Sequence, residues 1–305
     1  MTGWPANRWR RVLDRLRSAR TTTPRQREAW PPGHFYSPIP SLEEVRRDQA
    51  RLFGAAPRQV PGIDLRDAEQ VALFESLATH ATAQPWQDDA SADRRYHFDN
   101  DYFRHGEALV LQGLLCHVRP RRFVEIGSGY SSAAVLDIDE RCLGSTLECV
   151  FVEPWPGRLR QRLRPGDLQR VTLLERRVQQ VGLDVFASLQ AGDVLFIDST
   201  HVAKIGSDVN DIVFRVLPVL APGVLVHFHD VLYPFEYPST WVLEGRAWNE
   251  AYVLHAFLQY NERFHIVFFN SYFFQFHRER VLRRLPLMAQ SPGSSLWLRV
   301  ASPHG

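Results

Sequence analysis

Residues 122–132, Arg-Phe-Val-Glu-Ile-Gly-Ser-Gly-Tyr-Ser-Ser, constrain the fold more than any other part of this chain. A short apolar run, long enough for one buried strand, breaks at Gly127. It turns through Gly129 and enters a helix with Ser131 and Ser132 placed as its cap. Glycines at such a turn let a ligand approach bare backbone and meet the unpaired N–H groups of a helix start. Glu153 closes the next apolar run, Cys149 to Glu153, where a carboxylate can accept hydrogen bonds from ribose hydroxyls. A nucleoside-bearing cofactor follows from the pair.

The rest of the chain supplies a frame for that turn. Apolar runs at 149–153, 171–175, 193–198, 223–230, 264–272 and 295–300 alternate with helical patterns. This predicts an α/β fold, a doubly wound parallel sheet covered on both faces. The stretch Arg278 to Gln290 holds either a short helix or a long hairpin connection. In the second case the final strand is antiparallel, at or near the edge. Residues 1–100 read as a mostly helical extension and 101–305 as the main domain. In the extension, Ser41 caps a helix to about Phe53 with Glu44 at the capping-box position. A second helix, Asp67 to about His80, carries Phe74, Leu77 and Ala78 on one face. Residues 4–20 form a basic amphipathic helix with a stripe of Trp9, Val12, Leu13 and Leu16. That stripe docks on the main body, or on a membrane surface or partner.

Composition mainly excludes. With 45% hydrophobic and 23% charged residues over 305, a packed core is expected and global disorder is not. A formal charge of +2 gives no reason to expect nucleic acid, and Lys204 is the only lysine. Cys116, Cys142 and Cys149 lie in apolar segments without Cys-x-x-Cys spacing, which argues against a disulfide framework or zinc ribbon. No run reaches bilayer-spanning length and the first residues lack a signal-peptide stretch, so a cytoplasmic protein is expected. Oligomerisation is left open.

The dinucleotide fingerprint wants a third glycine where this chain has Ser132, whereas Glu125 precedes the first glycine by two residues. A carboxylate there can receive a cationic amino-acid group, for which a dehydrogenase has no use. Glu125-Ile126-Gly127-Ser128-Gly129, Glu153, and the strand ends at 195–201 and 224–230 together resemble the class I S-adenosylmethionine-dependent methyltransferases, across roughly residues 100–300. The resemblance implies a Rossmann-like, seven-stranded, mostly parallel sheet whose last strand is antiparallel. It also implies that Glu125, Gly127, Ser128, Gly129 and Ser131 hold the methionine end of the cofactor and Glu153 its ribose. Gln179 stands where family members often carry an acid near the adenine. Trp155 either stacks on the purine or covers the sheet end.

Asp198, His201, His229 and Asp230 fall at the carboxyl ends of neighbouring strands, where ligands bind in open α/β sheets. Histidine is a ready general base near neutral pH and a common metal ligand. His227, one repeat deeper, reads as structural. The set is similar to that of the metal-dependent sugar O-methyltransferases and the wider cephalosporin-hydroxylase-like group. By that resemblance Asp198 and His201 are catalytic, with His201 the base, and Asp198, His229 and Asp230 bind a divalent metal. His229 replaces a carboxylate of that family, so an all-oxygen magnesium site loses a ligand, and manganese, iron or zinc suits the site better. Aromatic residues on either side, Tyr96 to Phe103 and Tyr233 to Trp241, are candidates to wall a pocket for a small-molecule acceptor. The expected activity is methylation of a hydroxyl on a sugar or natural product. A metal-dependent oxidoreductase or hydroxylase-like enzyme and a non-catalytic partner-binding module are the alternatives.

Overall fold

The computed structural model describes residues 29–302; the basic helix expected at 4–20 lies outside them. Ser41 Oγ accepts the Glu44 N–H and starts a short helix, Leu42–Arg47, after which a second short turn ends at Leu52. The helix α1 (Asp67–Ala81) then leads through an irregular stretch to α2 (His105–Val118). The sheet opens with β1 (Arg122–Ile126), crosses over through α3 (Tyr130–Ile138), and continues with β2 (Glu148–Val152), β3 (Val171–Leu174), β4 (Val194–Ile197) and β5 (Leu225–Phe228). After α4 (Glu250–Leu258) come β6 (Phe264–Phe269) and β7 (Leu296–Val300).

The seven strands lie in the order β3-β2-β1-β4-β5-β7-β6. The first five are parallel; β7 is antiparallel to both β5 and β6, so the last strand is inserted beside the edge strand β6. The stretch after β6 is helical, at Asn270–Phe276 and Arg278–Arg284, which resolves the open choice for that connection in favour of helix.

Period-two alternation explains how the strands bury both faces. Val124, Ile126, Val150, Val152, Leu195, Ile197, Val226 and Phe228 enter one core; Phe123, Phe151, Val194, Phe196 and Leu225 enter the other. The second core also takes Phe74 and Leu77 from α1 and Trp86, Tyr96 and Phe98 from the stretch before α2. His227 sits fully buried in it, stacked on Phe196 at 3.7 Å, with Nε2 2.9 Å from Ser295 Oγ.

Two expectations are corrected here. Cys116 and Cys142 are joined in a disulfide, because α2 and the turn that follows α3 bring their Cα atoms to 6.0 Å; only Cys149 is a free thiol. Ser131 is not a cap, whereas Ser132 is one from within the helix, its hydroxyl accepting the Gly129 N–H. The helix begins at Tyr130, and both serines lie in its first turn with their hydroxyls donated back to the Glu125 carboxylate. No helix among the described residues is long and apolar enough to cross a membrane.

Candidate active site

The glycine turn is held against the ends of two strands. Gly127 has φ +82°, and its N–H donates to Val152 O while the Asp198 N–H donates to Ile126 O. A Cβ at Gly127 would lie 1.9 Å from Asp198 O, so only glycine lets β1 and β4 end this close together. Beside the turn lies a cavity of about 420 Å³, lined by Gly127, Glu153, Trp155, Gln179, Asp198 and Lys204 among others. Glu153 accepts the N–H groups of Ser128 (3.1 Å) and Trp155 (2.7 Å), which fixes its carboxylate at the cavity wall. Gln179 donates to Gly206 O at 2.9 Å and leaves its own side-chain oxygen buried without a hydrogen bond. An unsatisfied buried acceptor suits an amine donor of a bound ligand.

Glu125 takes a different place from Glu153. It is fully buried beneath the turn, occupied by Ser131 and Ser132, rather than in the cavity wall. Burial pushes its carboxyl up to about 8, against the pull of the two serine hydroxyls and with a contribution from Asp198. The serines in turn orient the first turn of α3, where Ser132 Oγ accepts the Gly129 N–H at 3.0 Å.

Asp198, His201, His229 and Asp230 converge next to this cavity. Asp198 Oδ1 is 3.4 Å from His201 Nε2 and 3.4 Å from His229 Nδ1. Asp230 Oδ2 is 3.7 Å from each of the same two nitrogens. His201 and Asp230 both have positive φ, 59° and 55°, so backbone in the left-handed region aims these two side chains. The far side of each imidazole is backed by a carboxylate that the sequence did not reveal. Glu250, at the start of α4, lies 2.8 Å from His201 Nδ1 and accepts the Ser199 hydroxyl at 2.9 Å. Glu107, in the first turn of α2, lies 3.0 Å from His229 Nε2 and accepts both the N–H and the hydroxyl of Ser294. Asn249, one residue before Glu250, receives no side chain of the cluster but donates its N–H to His201 O at 3.0 Å, tying α4 to the loop.

The charges in this cluster are strongly coupled. Burial works against a charged His201 ring, yet Asp198 and Glu250 outweigh it and raise the ring to about 10. Burial likewise opposes charge on His229, and Asp230, Asp198 and Glu107 raise it. For Asp198, burial opposes ionisation, and the two imidazoles overcome it and hold the carboxyl below its ordinary range. His229 is 5% exposed, and its Nδ1 makes no hydrogen bond although it points into the cluster. A buried ring nitrogen with no hydrogen bond, set between two carboxylates, suits a cation ligand. The residues present therefore fit a divalent metal.

A second cavity of about 610 Å³ opens on the other side of the cluster, lined by Tyr102, Arg104, Glu107, Asp230, Trp241 and Phe274 with their neighbours. Asp198 thus faces one cavity and Asp230 the other. The aromatic segments divide between roles: Tyr233, Phe235 and Tyr237 pack into the core, while Trp241 and Tyr102 reach the wall. Trp248 packs on His201 with ring centroids 4.5 Å apart. Lys204 lines the first cavity. Ser207 caps the short helix Asp208–Asp211, its side chain accepting the Asn210 N–H, and the Asp208 carboxylate accepts the N–H and hydroxyl of Thr200.

Residues 124–231 match a family described as a methyltransferase domain, a span that opens on β1 and closes just after Asp230. An uncharacterised protein of Archaeoglobus fulgidus is 34% identical over 166 residues, which cover 53% of this chain and 74% of that relative. Among solved structures, the S-adenosylhomocysteine-bound methyltransferase PaMTH1 of Podospora anserina is similar at 16% identity and a TM-score of 0.41, over 85% of this chain and 96% of its own. The O-methyltransferase TomG of Streptomyces achromogenes, solved with S-adenosylmethionine, is similar at 16% identity and a TM-score of 0.36, over 76% of this chain and 90% of its own.

Proposed function

The chain belongs to the class I S-adenosylmethionine-dependent methyltransferases, and from that premise we propose that it methylates a hydroxyl of a small polar acceptor, a sugar or another natural product. One observation carries the reading: the histidine–aspartate cluster stands between two cavities, with Asp198 lining one and Asp230 the other. The cavity beside the glycine turn takes the cofactor. Glu153 binds its ribose hydroxyls, Gln179 its adenine, and the turn of Gly127, Ser128 and Gly129 its methionine end, with Glu125 and Ser131 supporting that turn from below. The larger cavity takes the acceptor, against the aromatic faces of Tyr102, Trp241 and Phe274.

Transfer is an in-line displacement. The acceptor oxygen forms a bond to the methyl carbon, the carbon–sulfur bond breaks, and S-adenosylhomocysteine leaves as a neutral thioether. The hydroxyl proton goes to the cluster. Glu250 fixes the His201 ring through Nδ1, and a cation beside the cluster would offset the carboxylates that otherwise keep this ring protonated, leaving it free to act as the general base. A divalent metal at Asp198, His229 and Asp230 would supply positive charge beside the acceptor oxygen and favour its deprotonated form. Most of the rate comes from holding the two reactants in line in a pocket that excludes water.

Titration calorimetry tests the cofactor half. S-adenosylhomocysteine is expected to bind one to one, and Glu153→Ala to weaken it about tenfold or more, as for a lost charge-assisted hydrogen bond. Absence of binding at millimolar ligand would remove the proposal.

A further inference from the structure

We propose that His201 and His229 are paired ligands of one late first-row transition-metal ion, such as zinc, with Asp198 as the third ligand. The inference rests on the methyltransferase reading for the purpose of the site. It changes the part of His201, from proton acceptor to ligand.

The separations match such a centre. With metal–nitrogen and metal–oxygen bonds of about 2.0–2.2 Å, neighbouring donors in a tetrahedral site lie about 3.4 Å apart. Here the carboxylate oxygens of Asp198 and Asp230 lie 3.4–3.7 Å from His201 Nε2 and His229 Nδ1. These distances are too long for good hydrogen bonds, and Asp198, His201 and His229 each offer a donor atom within 4.8 Å of the other two. The second observation is the ring nitrogen itself: His229 is 5% exposed, and its Nδ1, between Asp198 and Asp230, makes no hydrogen bond.

Each ring is also prepared for ligation from behind. His201 presents Nδ1 to Glu250 and so offers Nε2; His229 presents Nε2 to Glu107 and so offers Nδ1. A carboxylate on the outer nitrogen fixes the tautomer, holds the ring plane and makes the inner nitrogen a better donor. The outer carboxylates are themselves fixed, Glu250 by Ser199 and Glu107 by Ser294. Ion pairs built only for stability need no such second layer. Four carboxylates meet two imidazoles, and among the described residues no arginine or lysine lies within ion-pair distance of them. A dication supplies the missing charge. Two imidazole donors select against magnesium, which prefers oxygen ligands and retains water.

Chelator-treated protein is titrated with zinc and with magnesium chlorides by calorimetry, and a cobalt(II) form is followed by visible absorption. Zinc is expected to bind with unit stoichiometry, at least about a hundredfold tighter than magnesium, and cobalt to give the intense bands of a low-coordinate nitrogen–oxygen site. His201→Ala should abolish those bands. Glu250→Gln, which keeps the packing, should lower zinc affinity by about ten- to a hundredfold. Magnesium binding as tight as zinc, or a cobalt spectrum unchanged in His201→Ala, overturns the proposal. S-adenosylhomocysteine binding is measured on the same samples. Its loss would fault the methyltransferase reading, whereas zinc failure with intact cofactor binding faults this inference alone.

Discussion

A single buried carboxylate, Glu125, shows how one residue can be both structural and titratable. Burial holds it protonated up to about 8 in the folded chain, whereas its ordinary value is 4.5. Between those two values the folded state keeps a proton that the unfolded chain has lost. Stability therefore falls as pH rises from about 5 to about 8 and levels off above, at a slope of about 1.4 kcal/mol per pH unit at most. Glu125→Gln mimics the neutral acid and lacks this loss. Urea unfolding across pH 5 to 9 should show the variant gaining on the natural protein until about pH 8. A gap independent of pH would contradict the burial argument. Glycine 127 makes the complementary point, because no titration is involved: the approach of Asp198 O leaves no room for any side chain.

At the scale of elements, Arg95 ties three segments together. Its guanidinium is 1% exposed and pairs with Asp167 (2.7 Å), Glu140 (2.8 Å) and Asp137 (3.0 Å), which link the stretch before α2 to α3 and to the loop before β3. Asp137 also accepts the backbone N–H groups of Arg95 and Tyr96 and the Trp86 indole N–H. Arg95→Met would leave Asp137 and Asp167 buried without their cation, at an expected cost of about 3–5 kcal/mol at neutral pH. Arg95 holds Glu140 down to about 2, and Asp167 is lowered once burial is outweighed. This contribution is present above the ordinary carboxylate range and is lost as pH falls toward 2. The stability difference between natural and variant protein should thus shrink from pH 7 to pH 3; an equal difference at both would speak against the network. Elements also explain what the sequence could and could not yield. The strands, the glycine turn and the strand-end residues were legible because each announces itself within a few neighbours: alternation, paired glycines, a polar residue at the end of an apolar run. Glu107 and Glu250 were not, since each sits in the first turn of a helix, where an acid is the ordinary choice for the helix dipole. Glu107 even serves as a capping residue with its other oxygen, on the Arg104 N–H at 2.7 Å. Only the tertiary fold brings it to His229, 122 residues away. The Cys116–Cys142 bond was hidden for the same reason.

For the molecule as a whole, the sheet order puts the ends of β1, β2, β4 and β5 side by side, and both cavities open there. The insertion of β7 beside β5 brings Ser294 under Asp230 and Glu107, so the end of the chain contributes to the cluster built by its middle. The central claim is that cofactor and acceptor meet across the histidine–aspartate cluster. A crystal structure with S-adenosylhomocysteine tests it most directly. The ribose is expected on Glu153, the adenine beside Gln179, and the sulfur directed toward His201 and His229 with open space between. Nucleoside density elsewhere, or a sulfur separated from those rings by packed side chains, would contradict the account.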